Sequence, residues 1–358
     1  SPEIMWDKTF GESGADSLFS IQQTSDGGYI LAGNKNNILW PDDDSNNRSD
    51  YWIVKLDGTG SKVWDKSFGG SFEDRATSIQ QTSDGGYIVG GYSRTVWNDE
   101  GSDGSGNPNY LILKLDELGN KVWEKSFETK SYAFNSNLIQ QTSDGDYVVT
   151  FTIPTETNTD NDCRILKLDN SGNEVWDKTF GGSSSDHVNS IQETSDGGYV
   201  LAGYTSSNDG DITDGNNGSV DYWIVKLDGL GNKVWDKTYG GLEADIAKSI
   251  HQTSDGGYII AGSTQSNSGD ISNGNNGDVD YWILKLDESG NKVWDKTLGG
   301  SSYDCATSIR QTSDGGYIVA GSTKSSDSDI TDSNNGKSDN WILKLDESGN
   351  KVWDKTLG

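Results

Sequence analysis

Val234-Trp235-Asp236-Lys237-Thr238-Tyr239-Gly240-Gly241 decides the fold, because it is one of seven near-copies spread from end to end of the chain. The other copies carry Trp6, Trp64, Trp123, Trp176, Trp294 and Trp353. Each copy reads as one strand of a repeating all-β unit, and a fixed period of this kind is the signature of a repeat architecture. Thr-Ser-Asp-Gly-Gly begins at Thr24, Thr82, Thr194, Thr253 and Thr312, with Thr-Ser-Asp-Gly-Asp at Thr142; successive offsets are 58, 60, 52, 59 and 59. A third block, Tyr-Trp-Ile-Val-Lys-Leu-Asp, starts at Tyr51 and has counterparts at Tyr110, Cys163, Tyr222, Tyr281 and Asn340. The chain therefore holds six full repeats of about sixty residues, placed near 11–68, 69–127, 128–180, 181–239, 240–298 and 299–358.

Four strands fit each repeat. Strand A is Ser-Ile-Gln-Gln-Thr, Ser20 to Thr24 in the first repeat, and a tight turn at Ser25-Asp26-Gly27-Gly28 follows. Glycine supplies the positive φ that such hairpin turns need. Strand B runs from Tyr29 to Gly33, and a long loop rich in Asp, Asn, Gly and Ser leads to strand C, Tyr51 to Asp57. Asp-x-x-Gly-Asn, as in Asp287-Glu288-Ser289-Gly290-Asn291, joins strand C to strand D, which carries the opening motif. Strands B and C are apolar on both faces, as Ile259-Ile260-Ala261 and Ile283-Leu284 show. A sheet buried on both sides needs that pattern, and one four-stranded unit cannot supply the cover by itself. Four-stranded units stacked radially make a β-propeller. The expected fold is an all-β, six-bladed β-propeller in a single domain over 1–358.

The count of strands does not balance. Six blades need six copies of strand D, and there are seven. Either Ile4 to Phe10 or Val352 to Gly358 is a surplus outer strand at a chain end, and an unpaired strand can add to the edge of another subunit.

Composition sets the boundaries of function. Lys plus Arg is 28 and Asp plus Glu is 56, a net charge of −28. Phosphate-rich partners would be repelled, so neither nucleic acid nor an anionic membrane is an expected partner. No apolar run approaches the length of a transmembrane helix, so no membrane insertion is expected. Cys163 and Cys305 fall in repeats three and six and read as two small buried thiols.

The run Gly-Gly-Tyr-Ile-Val-Ala-Gly (315–321), and Tyr-Trp-Ile-Leu-Lys-Leu-Asp-x-x-Gly-Asn-Lys-Val-Trp-Asp-Lys (281–296), resemble the propeller repeats of large secreted bacterial and archaeal surface proteins. They are also similar to kelch repeats and to the Leu-Asp-x-x-Gly-x-x-x-Trp segment of quinoprotein-type blades, in which the Trp docks between blades. The resemblance covers essentially the whole chain. It implies the propeller fold and an extracellular or cell-surface setting, and it is nearly silent on activity.

Three sets of residues are candidates for function. The B–C loops of repeats four to six repeat oxygen ligands at short spacing: Asp209, Asp211, Asp214, Asn216 and Asp221; Asp270, Asn275 and Asp280; Asp329, Asp332, Asn334 and Asp339. Ca²⁺ takes six to eight hard oxygens, some from backbone, so a structural calcium ion is expected there. The competing reading is a polar loop closed by Asx turns. The second set is the Asp five residues before the strand A Ile: Asp16, Asp74, Asp186, Asp245 and Asp304, with Phe134 in that place in repeat three. Each reads as an acceptor for backbone N–H groups of the inter-blade turn, the alternative being a cation-binding ring. The third set is aromatic. Eleven of the 13 Trp hold repeat positions, whereas Trp40 and Trp97 stand in the B–C loops of repeats one and two, and repeat three adds Tyr132 and Phe134. Loop aromatics beside Asp and Asn suit sugar stacking or a protein hot spot.

His187 and His251 lack metal or triad spacing, and His187 is expected in an exposed loop. The Gly-rich turns precede no helix and are not phosphate loops. No catalytic motif is present. The expectation is a non-enzymatic surface propeller that binds a protein or a glycan through the B–C loops of blades one to three. The alternatives are a carbohydrate-active enzyme or lectin, and a structural subunit that self-associates through a terminal strand.

Overall fold

The computed structural model describes residues 6–11, 15–36, 49–70, 73–94, 108–129, 138–155, 160–332 and 336–358. Among these residues there are twenty-four strands and no helix, arranged as six four-stranded antiparallel sheets. Each sheet is a simple meander in chain order, which is the blade of a propeller. The fold class is that of a six-bladed β-propeller. The blades span 17–68, 74–128, 138–180, 186–239, 245–298 and 304–357. Internal contacts gather the chain into two compact units, Ser1–Pro154 with Arg164–Asp177, and Thr155–Cys163 with Lys178–Gly358.

Local chemistry accounts for the hairpins. In blade four Gly197 adopts φ 79°, and the Thr194 N–H donates to Gly198 O across 2.9 Å. Asp196 Oδ1 accepts from the Gly198 N–H at 3.0 Å and from the Thr194 hydroxyl at 2.5 Å. At the C–D turn, Asp228 Oδ1 accepts from the N–H groups of Leu230 and Asn232 at 2.9 and 2.8 Å. Both are Asx turns, so one Asp per hairpin satisfies donors the turn would leave unpaired.

The middle strands carry the core. In the second unit, Val200, Ala202 and Ile224 of blade four pack against Ala247, Ile250 and Ile260 of blade five. In the first, Ile30, Ala32 and Ile53 of blade one meet Ala76, Ile79 and Val89 of blade two in the same way. Each such Ile or Leu contributes about 2 kcal/mol when fully buried. The unbranched polar positions of strand A also join blades. Ser190 Oγ accepts from the Ile250 N–H at 3.2 Å, and Gln192 Oε1 accepts from the Gln252 N–H at 2.7 Å. The Ser-Ile-Gln-Gln pattern is therefore an inter-blade hydrogen-bond ladder as well as a strand.

Two features differ from the sequence reading. Strand A starts earlier, at Asp186 in blade four, because a bulge between Val188 and Ser190 lets the strand continue across an irregularity. The bulge also explains the glycine that ends the Ala-Gly pair of strand B: a Cβ on Gly203 would lie 1.8 Å from His187 O. The seventh copy of the Trp-Asp-Lys motif is not a twenty-fifth strand among the described residues. Lys351–Leu357 completes blade six, whereas 6–11 has no strand structure. Trp6 instead packs edge-on against Tyr29, ring centroids 5.5 Å apart. Trp64 on Tyr87 and Trp235 on Tyr258 make the same contact at 5.7 and 5.8 Å.

Candidate functional site

The second Trp-Asp-Lys residue organises the B–C loop. Asp236 is buried on strand D of blade four. Its carboxylate accepts from the Thr213 N–H at 2.8 Å, the Thr213 hydroxyl and the Lys233 ammonium at 3.0 Å. The indole N–H of Trp223 on strand C also donates to it, at 3.4 Å. Blade five repeats the arrangement with Ser272, Trp282, Lys292 and Asp295, and blade six with Thr331, Trp341, Lys351 and Asp354. Burial pushes the Asp236 carboxyl up, but Thr213 and Lys233 outweigh it and hold it below the ordinary carboxylate range. Blade one keeps Trp52 on Asp65 at 3.1 Å. Blade three substitutes a bidentate pair, Arg164 to Asp177, at 2.5 to 3.2 Å.

A second hub sits at the other end of the blade. Lys226, on strand C, is buried with its ammonium 2.9 Å from Asp196 Oδ2 and 3.0 Å from Leu227 O. Lys55, Lys114, Lys285 and Lys344 do the same to Asp26, Asp84, Asp255 and Asp314. Burial raises the Asp196 carboxyl, yet the hydrogen bonds from Thr194, Lys226 and Gly198 bring it down to about 2. The lysine of Lys-Leu-Asp stands in an otherwise apolar strand. Its constancy opposite the Thr-Ser-Asp turn was the signal that could have identified it as a staple.

The acidic joint behaves as a structural acceptor. Asp186, Asp245 and Asp304 are fully buried, and each accepts from the second N–H of the Gly-Gly or equivalent turn: Gly182 at 2.7 Å, Gly241 at 2.8 Å and Gly300 at 2.8 Å. Ser207, Ser266 and Ser325 add hydroxyl donors at 2.8 to 2.9 Å. Asp74 is bound by the Gly70 N–H at 2.8 Å, and Asp16 accepts from the Asn36 N–H at 3.0 Å. Phe134 lies outside the described residues.

Next to the joints at Asp186, Asp245 and Asp304 stands a second carboxylate at the start of strand C, Asp162, Asp221 and Asp280. Asp221 Oδ2 accepts from the Asn217 N–H at 2.7 Å, while its Oδ1 is buried without a hydrogen-bond partner. That oxygen fills the place a side chain on Gly240 would take, since a Cβ there would lie 2.2 Å from it. Burial, reinforced by Asp245 and Asp270, pushes the Asp221 carboxyl up to about 6. Asp280 is raised to about 6 by burial and by Asp304, Asp329 and Asp327. Asp162 is raised to about 6 by burial and by Asp186, Asp211 and Asp160.

The calcium candidates are spread over these hydrogen-bond systems. Asp209 Oδ1 accepts from the Ser183 N–H at 2.7 Å, and Asp211, Asp270 and Asp329 each accept from the N–H of Gly181, Gly240 and Gly299 at 3.2 Å. Asp214 pairs with Lys237 at 3.1 Å and Asp332 with Lys355 at 3.0 Å. Asn216 and Asn275 close their loops as Asx turns onto the N–H groups of Gly218 and Gly277. Asp339 is buried at the start of strand C of blade six, and Asn334 lies outside the described residues. Among the described residues no three His, Cys, Asp or Glu side chains come together as a metal-holding group. The aromatic candidates Trp40, Trp97, Tyr132 and Phe134 all lie outside the described residues.

His187 corrects an expectation. It is buried on strand A of blade four, stacked on Tyr204 at 4.6 Å, and burial depresses its imidazole to about 4. It lies within strand A, in register with Tyr204 of strand B, and not in the preceding loop. Cys163 and Cys305 are free, buried thiols, and burial pushes the Cys163 thiol well up.

No protein-family profile matches the chain. The regulatory protein FlaEY of Caulobacter vibrioides is 27% identical over 164 residues, which is 43% of this chain and 17% of that protein. The chain thus spans about a sixth of that relative's length. Among solved structures, YCF48 bound to D1 peptide has 11% identity and a TM-score of 0.49, covering 99% of this chain and 86% of that one. The Pan2 WD40 domain of Neurospora crassa has 11% identity and a TM-score of 0.46, covering 85% and 86%. Neither the partners nor the chemistry of those proteins carries over at such distances.

Proposed function

We propose that the chain is a non-enzymatic binding propeller of the extracellular or cell-surface kind, whose ligand face is the B–C loops of blades one to three. One observation carries this reading. The loops of blades four to six are tied to their own blades, with Thr213, Ser272 and Thr331 fastened to Asp236, Asp295 and Asp354. Loops so committed are framework. The B–C loops of repeats one to three have departed from that sequence and carry Trp40 and Trp97, with Tyr132 and Phe134 added in the third repeat, and it is to these segments that we assign recognition. Their aromatics suit a protein or glycan surface. The extracellular setting rests on the resemblance of the repeat to secreted surface propellers.

Structural calcium in the acidic loops is part of the same proposal. It is supported by the density of oxygen ligands and by the free, buried Oδ1 atoms of Asp221 and Asp280. These residues would hold the ion, and it would supply charge neutralisation.

The test applies labelled wild-type protein to a glycan array and to intact cells, beside the double variant Trp40→Ala, Trp97→Ala and the framework variant Thr213→Ala. Binding lost in the double variant and kept in the framework variant supports the reading. Binding equally strong in all three rejects it.

A second reading, self-association through a terminal strand, is favoured by one observation. Trp353 is 45% exposed at the end of blade six, unlike the equivalent Trp235 and Trp294, which pack into core clusters. Light scattering over a range of concentrations, with Trp353→Ser as control, separates this from a monomeric binder.

A further inference from the structure

A recess of 420 Å³ opens between blades four and five at the A–B and C–D turn end of the blades, opposite to the B–C loops. Trp235 and Tyr258 form its apolar wall, with Asp196, Gln252 and Glu288 around the mouth. The two rings meet edge-to-face at 5.8 Å, and Trp235 is only half-buried. Gln252 is already committed, accepting from the Ser195 N–H at 2.8 Å. Asp196 points outward, its side chain 62% exposed, while the Lys226 that pairs with it is 6% exposed.

Glu288 is different. It is exposed at the C–D turn and takes part in no hydrogen bond or ion pair among the described residues. The turn does not require it, because Gly58, Asn170 and Gly229 hold the same place in other repeats. The whole set recurs between blades five and six as Trp294, Tyr317, Asp255, Gln311 and Glu347, and between blades one and two as Trp64, Tyr87, Asp26, Gln81 and Glu117. The ring contacts recur too, at 5.9 and 5.7 Å. Burial, then the Asp and then the Glu, raise each of Tyr258, Tyr317 and Tyr87 to about 12, so both carboxylates act on the same hydroxyl.

An unpaired carboxylate lining the same recess as a half-buried Trp, with a second carboxylate that is paired to the buried Lys226 but largely exposed, is the chemistry that recognises an ammonium or guanidinium group. The net charge of −28 adds long-range attraction of the same sign. We propose that the recess between blades four and five, and the matching residue sets between blades five and six and between blades one and two, each receive a Lys or Arg side chain of a basic peptide segment of a partner protein, using Glu288, Glu347 and Glu117 as the specific acceptors. Repetition of one weak site gives avidity to a segment that reaches more than one groove. This surface is independent of the B–C loop reading, and either can fail without the other.

The probe is a synthetic peptide of repeated Gly-Ser-Arg, titrated by calorimetry and by tryptophan fluorescence at about 50 mM and about 200 mM salt. It is compared in wild type, in the triple variant Glu117→Gln, Glu288→Gln, Glu347→Gln, and in a control triple variant Glu174→Gln, Glu243→Gln, Asp278→Asn. The control residues are exposed and lie outside the grooves, and both triples remove the same amount of negative charge. Thermal melting verifies that each variant is folded. The expected result is affinity about tenfold weaker in the groove triple, with the fluorescence change lost, and less than about twofold weaker in the control. Equal weakening in both triples means general attraction to an acidic surface and overturns the proposal. So does an absence of peptide binding at the lower salt, or binding of a neutral glycan that the groove triple abolishes.

Discussion

Thr213 donates its backbone N–H to Asp236 across 2.8 Å and so closes the B–C loop of blade four onto the outer strand of the same blade. Removing the carboxylate orphans the Trp223 indole N–H and both Thr213 donors, and leaves the Lys233 ammonium with only the Asp211 carbonyl and the Thr213 hydroxyl. Asp236→Ala is expected to cost about 3 kcal/mol, and Thr213→Ala, which keeps the backbone donor, about 1 kcal/mol. Urea denaturation measures both. Equal costs for the two variants would show that the carboxylate is not the hub.

Lys226 and Asp196 form a staple in which only the carboxylate reaches solvent. Lys226→Ala exposes the Leu227 carbonyl and the turn to an unfilled site, and a loss of about 2 kcal/mol is expected. Asp196→Asn retains an acceptor for the Thr194 hydroxyl and the Gly198 N–H and is expected to lose less, about 1 kcal/mol. Since Asp196 is held near 2, its contribution is present above the ordinary Asp value of 3.8 and fades as pH falls toward 2. Thermal melts of the two variants between neutral and acid pH test the order and the sign.

Asp221 works in the opposite direction. Its carboxyl is raised from 3.8 to about 6, so the folded chain binds the proton more tightly than the unfolded one. Stability from this group is full below about 4 and is lost as pH rises through about 6. His187 and His251, depressed by burial to about 4 and about 3, lose stability as pH falls below 6.5 and partly mask the trend in wild type. Asp221→Asn isolates it. In metal-free buffer the variant is expected to be more stable than wild type at pH about 8 by about 2 kcal/mol, with the difference vanishing near pH about 4. A variant less stable at every pH contradicts this account of the joint.

Calcium is tested separately. If the acidic loops hold it, added calcium raises the melting temperature, and a chelator lowers it and opens cleavage sites within 206–220, 265–279 and 324–338. No change in either readout means that the loops rely on their own hydrogen bonds alone.

The blades were legible in the sequence because their punctuation is local. Asp196-Gly197 and Asp228 to Asn232 specify turns by their own side chains, whatever surrounds them. The candidate site was less legible, because its decisive contacts join residues far apart in the chain. Thr213 and Asp236 are 23 residues apart, and Gln192 and Gln252 are 60 apart. Asp221 illustrates the difficulty: spacing marks it as a metal ligand, yet its free oxygen rests against Gly240, a contact that no loop motif reveals. Lys226 is harder to read for a related reason: one apolar strand does not show that a buried cation completes a turn on the neighbouring hairpin, and only the recurrence of the Lys in every repeat points to it.

Hydrogen exchange, read by mass spectrometry, on the B–C loops of wild type and Asp236→Ala reports directly on whether each loop is fastened to its own blade. Slow exchange is expected at Thr213, Ser272 and Thr331 in wild type, and in the variant fast exchange at Thr213 only, because each loop is fastened to the Asp of its own blade. Fast exchange at all three sites in wild type, or an unchanged Thr213 in the variant, would contradict it.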